Sequence, residues 1–247
     1  MEEFLQSALE ANRKIYEEIN SGFRSEWLDY LQTKGAGGDI SSKLDIFAED
    51  IFIKHLKSFG QIISEEIGIY GSGDKKIIID PIDGSSNATS FYPYFGSSVA
   101  LQNENQEIEA AVVCNFANGD IFYKIKNEPL MYGNFNKKGF KEEKSIALSK
   151  IGLFERSYSY GEIVKRLFEK KLKYRAPGAV ALSLAYAHRV KFVLYLGDIR
   201  IYDVTAGLFF CEDLKVKIAK NYVIVAKEIE VLETIENIIK EVKDEFK

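Results

Sequence analysis

Asp80-Pro81-Ile82-Asp83-Gly84-Ser85-Ser86-Asn87 comes directly after the apolar run Ile77-Ile78-Ile79. That run reads as a β-strand, and a proline at its end removes a ladder N–H, so the chain is expected to turn at Asp80-Pro81. The turn would bring the Asp80 and Asp83 carboxylates together at one strand end. Gly84, Ser85 and Ser86 are small enough for their backbone N–H groups to face an anion. Turn and capping chemistry accounts for a lone Asp-Pro or Asp-Gly. It does not account for a second carboxylate, which adds repulsion that no turn requires. Negative side chains beside an anion cradle make electrostatic sense when hard divalent cations bridge them to a phosphate.

Outward from this string lie three further acidic stretches. Upstream, Asp39-Ile40-Ser41-Ser42-Lys43-Leu44-Asp45 precedes Ala48-Glu49 at the start of a helical pattern, and Ser64-Glu65-Glu66 follows that helix. Downstream comes Ile201-Tyr202-Asp203-Val204-Thr205-Ala206-Gly207. Carboxylate oxygens suit Mg²⁺, whereas the two histidines of the chain lie away from these stretches, so zinc or iron is poorly supported. Each acid also has an ordinary reading. Glu65 belongs to a Glu-Glu pair of the solvated kind, with Glu66 an alternative ligand. Asp45 could start the helix beginning at Ile46, and Asp203 could cap one running Val204–Glu212.

Apolar periodicity gives the framework. Phe4, Leu5, Ala8, Leu9, Ala11, Ile15 and Ile19 have helical spacing over residues 2–20. A second helix is expected through Trp27, Leu28 and Leu31, ending at the glycine-rich loop Lys34–Gly38. A third covers Ile46 to Phe59. Ile77–Ile79, Ser97–Gln102, Ile108–Asn115, Ile121–Ile125 and Pro129–Tyr132 read as strands of an antiparallel meander, with Asn118-Gly119-Asp120 a hairpin turn. Helices are expected over Tyr160–Lys170, Val180–Arg189, Val204–Glu212 and Glu228–Lys243, with strands at Phe192–Leu196, Val216–Ile218 and Tyr222–Ala226. The pattern itself gives a mixed α/β chain with two sheets.

With 247 residues, 46% of them hydrophobic, the chain can bury a substantial core. A net charge of −4 without a long basic stretch argues against nucleic acid. No apolar run reaches the roughly 20 residues of a membrane helix, and the N-terminus lacks a signal-peptide pattern. Cys114 and Cys211 sit in apolar runs as buried thiols, which suits a reducing, cytoplasmic setting.

The four acidic stretches, taken in order, resemble the inositol monophosphatase and fructose-1,6-bisphosphatase superfamily. Asp80–Ser85 is similar to its Asp-Pro-Ile-Asp-Gly-Thr/Ser signature, Ser64-Glu65-Glu66 to its Gly-Glu-Glu, and Tyr202–Gly207 to its Trp-Asp-x-Ala-Ala-Gly. The resemblance implies an α+β fold, a layered αβαβα sandwich with two mixed sheets. It implies an N-terminal lobe over residues 1–150 carrying most metal ligands and a C-terminal lobe over 151–247 completing the substrate site, packed as one compact unit. It further implies a lithium-sensitive, Mg²⁺-dependent phosphatase with two to three ions, acting on a small phosphorylated substrate as a cytoplasmic homodimer.

By the same resemblance, Glu65, Asp80 and the Ile82 carbonyl hold one ion, and Asp80, Asp83 and Asp203 a second. Asp45 and the Ser85 hydroxyl orient the attacking water; serine replaces the commoner threonine but keeps the hydroxyl. The Gly84 and Ser85 N–H groups take phosphate oxygens. Lys34–Gly38 resembles the family's mobile loop. Arg175-Ala176-Pro177-Gly178-Ala179-Val180 resembles its substrate turn, implying contacts from Arg175, Gly178 and Ala179, with Asp83 and Asp203 also reaching substrate. No carboxylate stands where inositol-preferring relatives place one before Asp203, since Asp198 falls two residues late. Arg200 and Arg175 could instead accept a second phosphate, as in fructose-1,6-bisphosphate. The alternatives are a 3′-phosphoadenosine 5′-phosphate nucleotidase and a catalytically silent phospho-ligand-binding relative.

Overall fold

The computed structural model describes residues 1–38 and 40–245; Asp39, which the motif reading included, lies outside them. Helix α1 (Glu2–Ser21) is followed by the hairpin β1 (Tyr30–Lys34) and β2 (Ile40–Ser42) and by α2 (Lys43–Leu56). Next come β3 (Gln61–Ser64), β4 (Gly68–Tyr70), β5 (Lys76–Asp83), the short α3 (Ser85–Thr89), β6 (Gly96–Gln102), β7 (Ile108–Asn115), β8 (Asp120–Ile125), β9 (Met131–Asn134) and β10 (Lys141–Glu142). The remainder is β11 (Gly152–Glu155), α4 (Gly161–Glu169), β12 (Tyr174–Arg175), α5 (Val180–Ala185), β13 (Phe192–Leu196), α6 (Ile201–Phe210), β14 (Lys215–Ala219), β15 (Tyr222–Ala226) and α7 (Ile229–Glu245).

Strands β3 to β10 form an eight-stranded sheet in the order β10-β9-β8-β7-β6-β5-β3-β4. Strands β11 to β15 form a five-stranded sheet in the order β12-β11-β13-β15-β14. Both are mixed: β3 runs parallel to β5, and β11 runs parallel to β12 and β13, while the other pairs within the two sheets are antiparallel.

The layering follows from the two-residue period of the strands. Ile77 and Ile79 of β5, with Ala110, Val112 and Cys114 of β7, face α1 and α2. Their neighbours Ile78, Ala111 and Val113 face the opposite way, into a core shared with α5 and α6. The smaller sheet repeats the division. Val193 and Tyr195 join a core containing Leu184 and Val204, whereas Phe192, Leu194 and Leu196 pack toward α4 and α7. Continuous apolar strands buried on both faces thus give five layers, α/β/α/β/α, as the resemblance implied. Cys114 and Cys211 are buried free thiols. No helix among the described residues is long and apolar enough to cross a membrane.

Two local expectations need correction. The helix expected through Trp27 and Leu31 is only a 3₁₀ turn, Ser25–Leu28, and Leu31 lies in β1. Trp27 is buried on Phe23 and Phe47, so one aromatic anchor replaces a helical face. The expected break at Asp80-Pro81 also does not occur. Strand β5 runs on to Asp83, and its register with β6 slips between Asp80, opposite Ser98, and Asp83, opposite Gly96. Proline is tolerated because it falls inside that irregularity, where no ladder N–H is required.

Candidate functional site

The irregular end of β5 carries Asp80 and Asp83, each nearly inaccessible to solvent. The turn comes at Gly84, whose φ of 88° is left-handed. A Cβ there would also crowd Ala179 Cβ at 3.1 Å and the Gly178 carbonyl at 3.2 Å, so the backbone favours glycine and a side chain would have to push its neighbours back. Glu65 follows β3, held beside β5 by its N–H donating to the Ile79 carbonyl at 3.1 Å. Asp203 arrives from the other sheet's side, in the first turn of α6. That helix begins at Ile201, with Arg200 in the cap position, rather than at Val204, so Asp203 is not its cap.

Carboxylate oxygens of Glu65, Asp80 and Asp203 all lie within 4.8 Å of one another. Burial pushes the Asp80 carboxyl well above its ordinary range, and the charges of Glu65, Asp83, Asp203 and Asp45 push it further. The donor set is oxygen only, buried and electrostatically under-neutralised, which fits a hard divalent cation such as Mg²⁺. Glu65, not Glu66, stands with Asp80 and Asp203. Glu66 instead accepts from the Ser41 hydroxyl, and burial, with Asp45 and Glu49 adding to it, lifts its carboxyl to about 7.

Asp45 sits at the third position of α2 in a reciprocal cap. Ser42 N–H donates to Asp45 Oδ2 at 2.6 Å, and Asp45 N–H donates to Ser42 Oγ at 3.3 Å. Its other oxygen, Oδ1, is 2.7 Å from the Ser85 hydroxyl, which also lies 2.9 Å from the Ile82 carbonyl. One hydroxyl hydrogen faces two acceptors, leaving oxygen lone pairs of Ser85 free to accept a proton donor. Burial raises the Asp45 carboxyl, with the hydrogen bonds from Ser85 and Ser42 pulling the other way.

Asp83 has a different immediate task. Its Oδ1 accepts Val180 N–H at 2.9 Å and its Oδ2 accepts Leu182 N–H at 2.8 Å, so it holds the start of α5 from across the sheets. Each oxygen keeps a second lone pair, but Asp83 is not part of the Glu65–Asp80–Asp203 group. The turn at Gly178 is fixed by two residues that sequence reading did not single out. Glu155 accepts Gly178 N–H at 2.9 Å and also the Ser183 hydroxyl. Asn87 Nδ2 donates to the carbonyls of Tyr94 at 2.6 Å and Pro177 at 2.7 Å. A charged residue closing the apolar strand Gly152–Glu155 was the available sign for Glu155. For Asn87 it was membership of the opening string.

The two arginines part company. Arg175 lies exposed on edge strand β12, with Nη1 donating to its neighbour's carbonyl, Tyr174 O, at 2.9 Å. Arg200 lies inside the acidic group. Its Nη1 is 2.6 Å from Glu65 Oε1, and its Nε and Nη2 reach Asp203 Oδ2 and Oδ1 at 3.0 and 3.1 Å. The Gly-rich loop rests on the same acids: Gly37 N–H donates to the Glu65 carbonyl at 2.6 Å and Ala36 N–H to the Glu66 carbonyl at 2.9 Å.

A model of the inositol monophosphatase family matches residues 1–214. The chain belongs to the inositol monophosphatase family. It is 30% identical over 208 residues to a fructose-1,6-bisphosphatase/inositol-1-monophosphatase of Methanothermobacter thermautotrophicus, covering 72% of this chain and 70% of that protein. It is 27% identical over 247 residues to a bifunctional NADP phosphatase/NAD kinase of Methanocaldococcus jannaschii, covering 81% of this chain but only 42% of that longer protein. The fold matches that of the extragenic suppressor protein suhB from Bartonella henselae with a TM-score of 0.79 over 95% of this chain and 97% of that one, at 18% identity. Family membership accounts for both the five-layer fold and the order of the acidic motifs.

Proposed function

We propose that this family member is a Mg²⁺-dependent phosphatase that hydrolyses a phosphate monoester of a sugar or polyol, fructose-1,6-bisphosphate, inositol monophosphate or both. The observation that carries the reading is the meeting of Glu65, Asp80 and Asp203 in one buried group beside the hydrogen-bonded Asp45–Ser85 pair. Glu65, Asp80, Asp203, Asp83 through its remaining lone pairs and the Ile82 carbonyl would hold the ions. Mg²⁺ held there would neutralise the ester's charge and acidify water.

The chain's own groups supply the rest. Asp45, fixed through Oδ2 by its cap, accepts the Ser85 hydroxyl hydrogen through Oδ1, so that Ser85 would turn a lone pair toward the attacking water, accept its hydrogen bond and orient it. Gly84 and Ser85 N–H groups would receive phosphate oxygens. The turn at Gly178 and Ala179, pinned by Asp83, Glu155 and Asn87, would bring bare backbone against the alcohol part of the substrate. Rigid support of this kind lowers the entropy lost on reaching the reacting geometry.

The test is phosphate release by purified protein with and without Mg²⁺, and with Li⁺ added, across fructose-1,6-bisphosphate, inositol 1-phosphate, 3′-phosphoadenosine 5′-phosphate and NADP. Mg²⁺-dependent turnover with the highest kcat/KM on a sugar or polyol ester is expected. A nucleotide preferred over both would replace the substrate class, and no metal-dependent hydrolysis of any ester would end the reading.

A further inference from the structure

Arg200 occupies ground that a divalent cation also needs. Its guanidinium forks onto both oxygens of Asp203 and extends its third nitrogen to Glu65 Oε1, in a side chain less than one-third exposed. Arg200 stands at the cap position of α6 and Asp203 lies in its first turn, so their contact is local. Glu65 lies 135 residues away at the end of β3, so the same guanidinium ties the two sheets' contributions together.

We propose that Arg200 is a built-in counter-ion for the acidic group, competing with the divalent cation for Glu65 and Asp203 and letting go of Glu65 when the cation binds. The inference rests on the cation site assigned under Proposed function. Two physical arguments carry it. Carboxylates this close and this buried need positive charge to coexist, and Arg200 brings it to two of them, Glu65 and Asp203. A guanidinium with its donors spent on the same oxygens repels a second cation and withdraws lone pairs from it. Arg200 therefore sets how readily the site loads and makes loading a displacement rather than a simple addition.

Calorimetric titration with Mn²⁺ and Mg²⁺, with melting temperatures in chelator and in saturating cation, tests this on wild type, Arg200→Met and Arg200→Lys. Arg200→Met is expected to bind the cation about 10-fold more tightly or better, a factor worth about 1.4 kcal/mol. It is also expected to melt lower than wild type in chelator and to recover when loaded. Arg200→Lys, which keeps the charge but loses the fork, is expected to fall between them in affinity. Unchanged or weaker binding in Arg200→Met overturns the inference and makes Arg200 a preorganiser of the ligands. If Arg200→Met does not fold, Arg200→Lys decides: affinity at or below wild type counts against competition. Wild type that takes up no divalent cation defeats the site assignment itself, a distinct result.

Discussion

Two buried acid–arginine clusters hold this molecule together, and they solve the same problem in opposite ways. Around Asp120, at the start of β8, every carboxylate oxygen is met by donors. Tyr132 OH reaches Oδ1 at 2.7 Å and Asn134 Nδ2 at 3.0 Å, while Tyr186 OH reaches Oδ2 at 2.6 Å and Asn118 Nδ2 at 3.2 Å. Arg189, itself forked onto Glu143 at 2.7 and 2.9 Å, adds positive charge nearby. Burial pushes the Asp120 carboxyl up, but the tyrosine and asparagine donors and Arg189 outweigh it, and the group settles below 3.8. Around Asp80 the surroundings are other acids, and among the described residues no hydrogen-bond donor meets its carboxylate; the group is driven well above 3.8. A cluster complete in itself is architecture. One that the protein leaves short of positive charge can take it from outside.

The sharpest way to break that contrast is Asp80→Asn. Activity is expected to fall by more than about 100-fold, beyond the 10–100-fold typical of outer-sphere changes. The same change, by relieving repulsion, is expected to raise the melting temperature in chelator, by about 2–4 °C per kcal/mol gained. Steady-state rates and calorimetric melts read both, and retained activity would contradict the ligand role. Ser85→Ala should lower kcat by about 10²-fold, the scale of a misplaced reacting group, with Ser85→Thr restoring most of it. Equal rates in serine and alanine forms would remove Ser85 from the chemistry.

Further out, Glu155→Gln should raise KM several-fold while changing kcat little, because it loosens the Gly178 turn without touching the acids. A pure kcat effect would assign Glu155 elsewhere. Asp120→Asn, at the complete cluster, should cost about 1–3 kcal/mol in urea melts at pH 7 and leave kcat intact. The pH dependence fixes the sign. A carboxyl depressed in the fold contributes its stabilisation above 3.8 and loses it as pH falls through the lower folded value. Wild type and variant should therefore converge in acid, and a gap that widens there would mean the carboxylate is not the stabilising group.

The apolar pattern made the two sheets legible, while the layering and the acid set came with the family resemblance, which short local motifs carry. Two-residue alternation marks the strands, and the Asp80–Ser85 string, Glu65 and Asp203 stand in short recognisable contexts. The failures were also local in origin. Trp27 and Leu31 have helical spacing, but a buried aromatic cluster and pairing with β2 override it, as tertiary contacts override propensity elsewhere. Pro81 signals a break in isolation, yet a register slip absorbs it. What no local pattern could reveal is who meets whom. Arg200 at Glu65, Asp83 at Val180 and Leu182, and Asn87 at Pro177 are contacts across 135, 97 to 99, and 90 residues. Arg175 and Arg200 look alike in sequence, and only the fold sends one to the outer edge and the other into the acids.

Gly84, wedged against Gly178 and Ala179, has a mechanical consequence. The turn that follows Asp80 and Asp83 at the end of β5 and the turn that leads into α5 meet there with no side chain between them. A ligand that touched both turns would act as a rivet between them, so resistance to proteases should climb with occupancy.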